Sequence, residues 1–182
     1  MKTGSTVKYV LRLSLTLLII TAVVAVILAA VNKVTAPIIA QQKEEKTQKA
    51  IQAVLPGGGE KVAFTDATGT VVSVYRGEAG YAVEVVPQGF GGGITMMVGV
   101  DLQGNVMGIS IINQTETAGL GAVCGADNSA GEAFRGQFVG LSGNLAVTKD
   151  GGTVDAITGA TITSRAVTAG VNAALDCVEN LG

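Results

Sequence analysis

Histidine and tryptophan are both missing from this chain of 182 residues. Without an imidazole there can be no His-based triad or acid–base pair, and no His-ligated haem or zinc site. The two cysteines, Cys124 and Cys177, make no Cys-x-x-Cys pair and no four-cysteine frame, which argues against iron–sulfur clusters and c-type haem. Their spacing leaves a single disulfide open. Aromatic residues are only 4%, too few for a carbohydrate-stacking platform. Charge is scarce as well: 14% of residues are charged, against about a quarter in a typical soluble domain, which excludes a disordered, charge-rich chain. Among the few charges, Lys2, Lys8 and Arg12 precede residue 33, and all 14 acidic residues follow it. The later part is therefore acidic, which argues against nucleic-acid binding, since that needs a basic face.

What the chain does have is apolar sequence and glycine. The segment 13–31, LSLTLLIITAVVAVILAAV, contains no charge, proline or glycine. As a helix it would reach about 28 Å, close to the hydrocarbon thickness of a bilayer of about 30 Å. The cations upstream of it predict a cytoplasmic N-terminus (1–12), a transmembrane helix (13–31) and export of the rest. A cleaved signal peptide is the competing reading, but its apolar region is typically about 7–15 residues. No cysteine follows the run closely enough for a lipoprotein anchor. The 26 glycines are about twice the usual share of roughly 7% and follow no collagen period, so they mark tight turns and close backbone approaches.

Beyond the anchor, residues 32–59 read as a stalk helix and linker, with Pro37 near the start, a polar run at 41–46, and Pro56-Gly57-Gly58-Gly59 as a stop. A partly ordered linker is the alternative. Residues 60–182 read as one domain. Strand-like runs fall at 71–75, 81–86, 94–100 and 106–112, the last two flanking a hairpin turn at 101–105. Segment 113–130 has no regular apolar period. A short helix at 130–139 would place Phe134 and Phe138 on one face. Further strands are expected at 145–147 and 154–157. Val167, Val171, Ala174, Leu175 and Val178 then repeat at helical spacing. The expected class is α+β, a mainly antiparallel sheet with a C-terminal helix.

Side chains suited to chemistry gather at the entry to that helix. Thr153, Thr158, Thr161, Thr163 and Ser164 crowd one short stretch, with Gly159 and Ala160 leaving the backbone approachable. Free N–H groups and the helix dipole favour an anion there. Local physics alone supports the plainer reading equally: hydroxyl residues before a helix are ordinary caps, and Gly-Ala is an ordinary tight turn.

The segment Asp155-Ala156-Ile157-Thr158-Gly159-Ala160-Thr161 resembles the attachment motif Asp-x-x-(Ser/Thr)-Gly-Ala-(Ser/Thr) of the FMN-binding domain family. Thr163-Ser164-Arg165 is similar to the stretch that follows it there. A second segment, Glu116-Thr117-Ala118-Gly119-Leu120-Gly121, resembles the family's Glu-Thr-Pro-Gly-Leu-Gly loop, with Ala118 in place of proline. The resemblance covers roughly residues 80–180 together with the anchor. It implies FMN joined through its phosphate to Thr161, by a magnesium-dependent flavin transferase that uses FAD on the extracytoplasmic side. It implies that Thr158, Gly159 and Ala160 shape the presenting turn, and that Glu116, Thr117, Gly119, Leu120 and Gly121 line the flavin ring. Asp155 either hydrogen-bonds the turn, assists the transferase or is a surface acid. Thr163 and Ser164 are expected to cap the helix and meet the phosphate; Arg165 either balances the phosphodiester or is solvated. Cys124, Tyr75, Tyr81 and the phenylalanines read as core.

Within that family, the length and single anchor are most similar to the G subunits of Rnf ion-translocating electron-transport complexes. The related C subunits of sodium-translocating NADH:quinone oxidoreductases are usually longer. The resemblance implies an electron relay between membrane-embedded partners in a complex that joins ferredoxin and NAD to sodium or proton movement. The chain would be a redox component of an enzyme in the cell membrane, not catalytic alone, with no metal site of its own. Elimination agrees, because a chain without haem or cluster ligands can be redox-active only through an organic cofactor. A pilin-like scaffold is one alternative, disfavoured because no acid precedes Glu44; a tethered binding module is another, favoured if the protein is colourless.

Overall fold

The computed structural model describes residues 3–65 and 69–181; Lys2 lies outside the described residues. The chain divides between Glu45 and Lys46 into two compact units.

The first unit is helical, and its helix extends past Glu45, so that the residues from Lys46 on belong to the second unit. Helix α1, Thr3–Val54, contains a stretch with mean hydropathy 2.8, long and apolar enough to cross a membrane, and none of that stretch is buried. Its hydroxyls satisfy themselves: Thr16 Oγ1 donates to the Arg12 carbonyl at 2.8 Å and Thr21 Oγ1 to the Leu17 carbonyl at 3.0 Å. Such back-bonding keeps polar groups paired where water is absent. Pro37 does not open a separate helix, because α1 runs through it. Proline removes one N–H and hence one helical bond, and the helix on either side persists.

The second unit is α+β. Strands β1 (Glu60–Val62), β2 (Val71–Arg76), β3 (Gly80–Val85), β4 (Thr95–Asp101) and β5 (Val106–Asn113) form an antiparallel meander in sequence order. Alternation sends Val83, Val85, Val98 and Val100 to one face and Ala82 and Met97 to the other. Both faces are covered, so every residue of β3 is buried. Within this same unit, Ala50, Ile51 and Val54 from the last turns of α1, with Leu55 just after it, pack on the Ala82 face. On the opposite face lies α3 (Thr161–Glu179), which contributes Val167, Val171, Ala174, Leu175 and Val178. Each fully buried aliphatic side chain there adds about 1.5–3 kcal/mol. Glu84, also in β3, keeps a buried partner in Ser73, whose Oγ donates to its Oε2 at 2.6 Å.

The β4–β5 hairpin closes where the turn residues foretell it. Asp101 Oδ1 accepts from the backbone N–H of Gln103 at 2.9 Å and of Asn105 at 2.8 Å. These bonds, those from Asn105 foremost, hold the Asp101 carboxyl below the usual carboxylate range. Helix α2, Ser129–Gly136, is capped by Asn128, and Phe134 meets Phe138 edge to face with ring centroids 5.6 Å apart. The strands expected at 145–147 and 154–157 reduce to one parallel bridge, Val147 with Val154.

Candidate functional site

The loop 116–121 and the turn 158–161 lie far apart in sequence and meet at the start of α3. Glu116 joins them. Its buried carboxylate accepts from Gly91 N through Oε1 at 2.8 Å and from Thr163 Oγ1 through Oε2 at 2.5 Å. Thr115 Oγ1 adds a bond to the Gly91 carbonyl at 3.0 Å. Gly121 sits where a Cβ would lie 2.5 Å from both Glu116 Oε2 and Thr163 Oγ1, so only glycine lets the loop close on the helix.

The turn before α3 is built in the same economical way. Gly159 has φ +76, in the left-handed region that favours glycine. Ser164 Oγ accepts from Ile157 N at 2.9 Å and donates to the Ala160 carbonyl at 3.0 Å. Gln137 clamps the chain approaching the turn, taking a bond from Asp155 N at 2.7 Å and giving one to the Asp155 carbonyl at 3.2 Å.

Between loop and turn lies a cavity of about 380 Å³, within the range of about 300–1,000 Å³ usual for small-molecule sites. Of the residues expected from the sequence, Glu116, Thr117, Leu120, Gly121, Gly159, Ala160, Thr161 and Thr163 line it. Gly119, Thr158, Asp155 and Ser164 do not. Thr158 and Asp155 are exposed, the Asp155 carboxylate takes no hydrogen bond among the described residues, and Ser164 is fully buried beneath the turn.

Three further residues line the cavity without being marked by any motif: Phe90, Lys149 and Ile162. Phe90 is 70% exposed at the cavity, so it is not core. Lys149 Nζ donates to Thr161 Oγ1 at 3.1 Å. Neither has a local signal: Phe90 sits in a Gly-rich stretch and Lys149 in a Lys-Asp-Gly-Gly turn, and only the fold carries them to Thr161.

Capping also differs from expectation. The N-cap of α3 is Ala160, and no side chain caps the helix. Thr163 and Ser164 are committed to Glu116 and to the turn, as above. Among the described residues, the N-cap side chain makes no bond to the first N–H groups of α3, a helix start of the kind that favours an anion, and it lies beside a hydroxyl and a cation. Arg165 does not face the cavity. It binds Asp150 twice, Nε to Oδ2 at 2.7 Å and Nη2 to Oδ1 at 2.6 Å. The pair lowers the Asp150 carboxyl below its usual value and raises the Arg165 guanidinium. No disulfide joins Cys124 and Cys177. Cys124 is buried behind the loop, and burial, aided by the Glu116 charge, pushes its thiol up to about 11.

The cavity has an apolar side and an end suited to an anion. Phe90, Leu120 and Ile162 supply apolar surface, and Lys149, the hydroxyl of Thr161 and the uncapped helix start supply the anion end.

Comparison with known proteins agrees with this chemistry. Residues 89–176 match the FMN-binding domain family and residues 1–54 match the RnfG N-terminal region. The chain is similar to the G subunit of the Na(+)-translocating ferredoxin:NAD(+) oxidoreductase complex of Acetobacterium woodii, 34% identical over 96% of this chain and 94% of that one. It is similar to the G subunit of the proton-translocating ferredoxin:NAD(+) oxidoreductase complex of Clostridium ljungdahlii, 36% identical over 84% of this chain and 83% of that one. The G subunit of an ion-translocating oxidoreductase complex of Methanosarcina acetivorans is 32% identical over 94% of this chain and 96% of that one.

Proposed function

The chain belongs to the family of G subunits of ion-translocating oxidoreductase complexes, and from that membership we propose that it is an electron-relay subunit of an Rnf-type complex, carrying FMN as a phosphoester on Thr161. FMN, when bound, supplies reversible electron transfer that no side chain here can provide. The chain's own residues bind and orient it. Phe90, Leu120 and Ile162 offer apolar contact to the ring, while Glu116 keeps the loop and α3 at fixed separation. The observation that carries the reading is the position of Thr161. It is the first residue of α3, it lines the cavity, and the Lys149 ammonium stands 3.1 Å from its Oγ1.

A phosphoester suits an exported head, because a dissociable flavin outside the cell would be lost by dilution. The attachment is made by a magnesium-dependent flavin transferase acting on FAD. Residues 13–31 cross the membrane, 1–12 stay in the cytoplasm and 32–59 serve as a stalk leading to the extracytoplasmic domain. The partners are the other membrane and peripheral subunits of the complex, and the coupled reaction passes electrons between ferredoxin and NAD.

The test is co-expression with the transferase, followed by intact-mass measurement and in-gel fluorescence after denaturation. The wild-type chain should gain one FMN and fluoresce, and Thr161→Ala should do neither. Colour lost on unfolding and dialysis, or fluorescence persisting in Thr161→Ala, rejects attachment at Thr161.

A further inference from the structure

We propose that Lys149 is the residue that engages the Thr161 oxygen during flavin attachment and the ester phosphate afterwards, and that Asp150 and Arg165 position it. The inference rests on the reading of Thr161 as the attachment point. Neither the attachment motif nor the glycine loop contains Lys149, yet it is the one cation lining the cavity among the described residues.

A surface lysine normally wanders, because its four-carbon stem has many rotamers. Here the backbone that carries it is tightly built. Lys149 is the middle residue of a single 3-10 turn, Thr148–Asp150. Val147 and Val154 anchor the turn in the core and bridge to each other. Asp150 N and Gly152 N both bond the Val147 carbonyl, at 2.8 and 3.1 Å. Arg165 stands four residues after Thr161 on α3 and grips Asp150 with two bonds. The helix that presents the hydroxyl and the turn that presents the ammonium are therefore tied together by a bidentate pair.

The chemistry gives the cation two uses. During attachment the Thr161 Oγ–phosphorus bond forms and the pyrophosphate P–O bond of FAD breaks. The hydroxyl proton passes to the transferase, adenosine monophosphate leaves, and no electrons change hands. Negative charge develops on Oγ1 as its proton departs, and a cation already bonded to that oxygen stabilises it. After attachment the phosphodiester keeps one negative charge beside the uncapped start of α3, and the same ammonium meets it.

The experiment uses the full chain in detergent with transferase, FAD and magnesium, reading the initial rate of FMN addition by intact mass. Lys149→Gln should slow labelling roughly ten-fold or more, with an unchanged melting temperature, and Lys149→Arg should recover most of the rate. Arg165→Gln should slow it about three-fold alone and add nothing to Lys149→Gln, as expected of residues acting as one unit. Wild-type labelling of Lys149→Gln, or no recovery in Lys149→Arg, overturns the role of Lys149. A full further loss in the double variant overturns the positioning role of Arg165. If the wild-type chain itself is never labelled, the Thr161 reading fails instead.

Discussion

Thr163 donates its hydroxyl hydrogen to Glu116 across 2.5 Å, with both side chains buried. The same carboxylate holds Gly91 N at 2.8 Å, so one acid joins three segments around the cavity. Glu116→Ala removes the acceptor from the buried Thr163 hydroxyl and from the part-buried Gly91 N–H, and hydrogen bonds to charged groups contribute about 1.5–3 kcal/mol each. That variant should lower the unfolding free energy by about 2–4 kcal/mol in urea titration. Glu116→Gln should cost less, because its amide oxygen still accepts one bond and the threonine hydroxyl can rotate to accept the other.

Gly159→Ala tests the turn that presents Thr161. Its φ of +76 strains any residue with a Cβ, and that Cβ would stand 3.0 Å from Leu120 Cδ2. The expected loss is about 1–2 kcal/mol in thermal or chemical unfolding. Because Leu120 lines the cavity, the proposed FMN site predicts a shift in the fluorescence of FMN-loaded protein as well.

The Asp150–Arg165 pair makes a prediction in pH. The Asp150 carboxyl is held below its ordinary value of 3.8 by hydrogen bonds from Arg165. A depressed folded value means that the pair's contribution is present above that reference and is lost as pH falls through the lower one. An NMR titration of the Asp150 carboxyl should show its midpoint below 3.8, returning toward 3.8 in Arg165→Gln. Both side chains are exposed, so the effect on global stability should be small.

The parts of this fold that are legible in the sequence are those whose cause is local. Asp101, Gly104 and Asn105 specify a hairpin by their own backbone bonds, and Val167, Val171 and Ala174 declare a buried helix face by spacing. Strand β1 gives no such sign, because Glu60-Lys61-Val62 is short and polar and is ordered by pairing with β2. Val147 and Val154 look like strand residues but meet only each other, so burial and a single bridge account for both. Pro37 has the look of a helix start, yet one lost hydrogen bond does not end a helix whose neighbouring turns continue on both sides. At the site, Thr161 and Glu116 are visible through motifs. Phe90 and Lys149 are not, because their places at the cavity arise from chain segments that only tertiary structure brings together.

Cys124 should be inert. Burial and the Glu116 charge push its thiol up to about 11, from an ordinary value of 9.0. At pH 8 the folded protein should not react with a thiol reagent at this position, and unfolding in urea should expose it. The sign of the pH effect follows from the raised value. Above about 9 the unfolded thiol ionises while the folded one stays protonated, so stability falls as pH rises from there toward 11. Cys124→Ala should remove that alkaline slope.

The buried thiols make a clean background for testing membrane orientation. Cys124 and Cys177 are both buried, so an introduced surface cysteine would dominate labelling by a bulky, membrane-impermeant maleimide. Ala133 is exposed on α2 and far in sequence from the cavity residues 158–163. In intact cells, or in spheroplasts where an outer membrane exists, Ala133→Cys should label without lysis if the domain is exported. Lys8 and Arg12 precede the apolar run, against the single Lys33 close behind it, and the side richer in cations is retained in the cytoplasm. Labelling only after the membrane is opened would place the domain inside. That outcome would also remove the need for a covalent flavin, since cytoplasmic FMN is not lost by dilution.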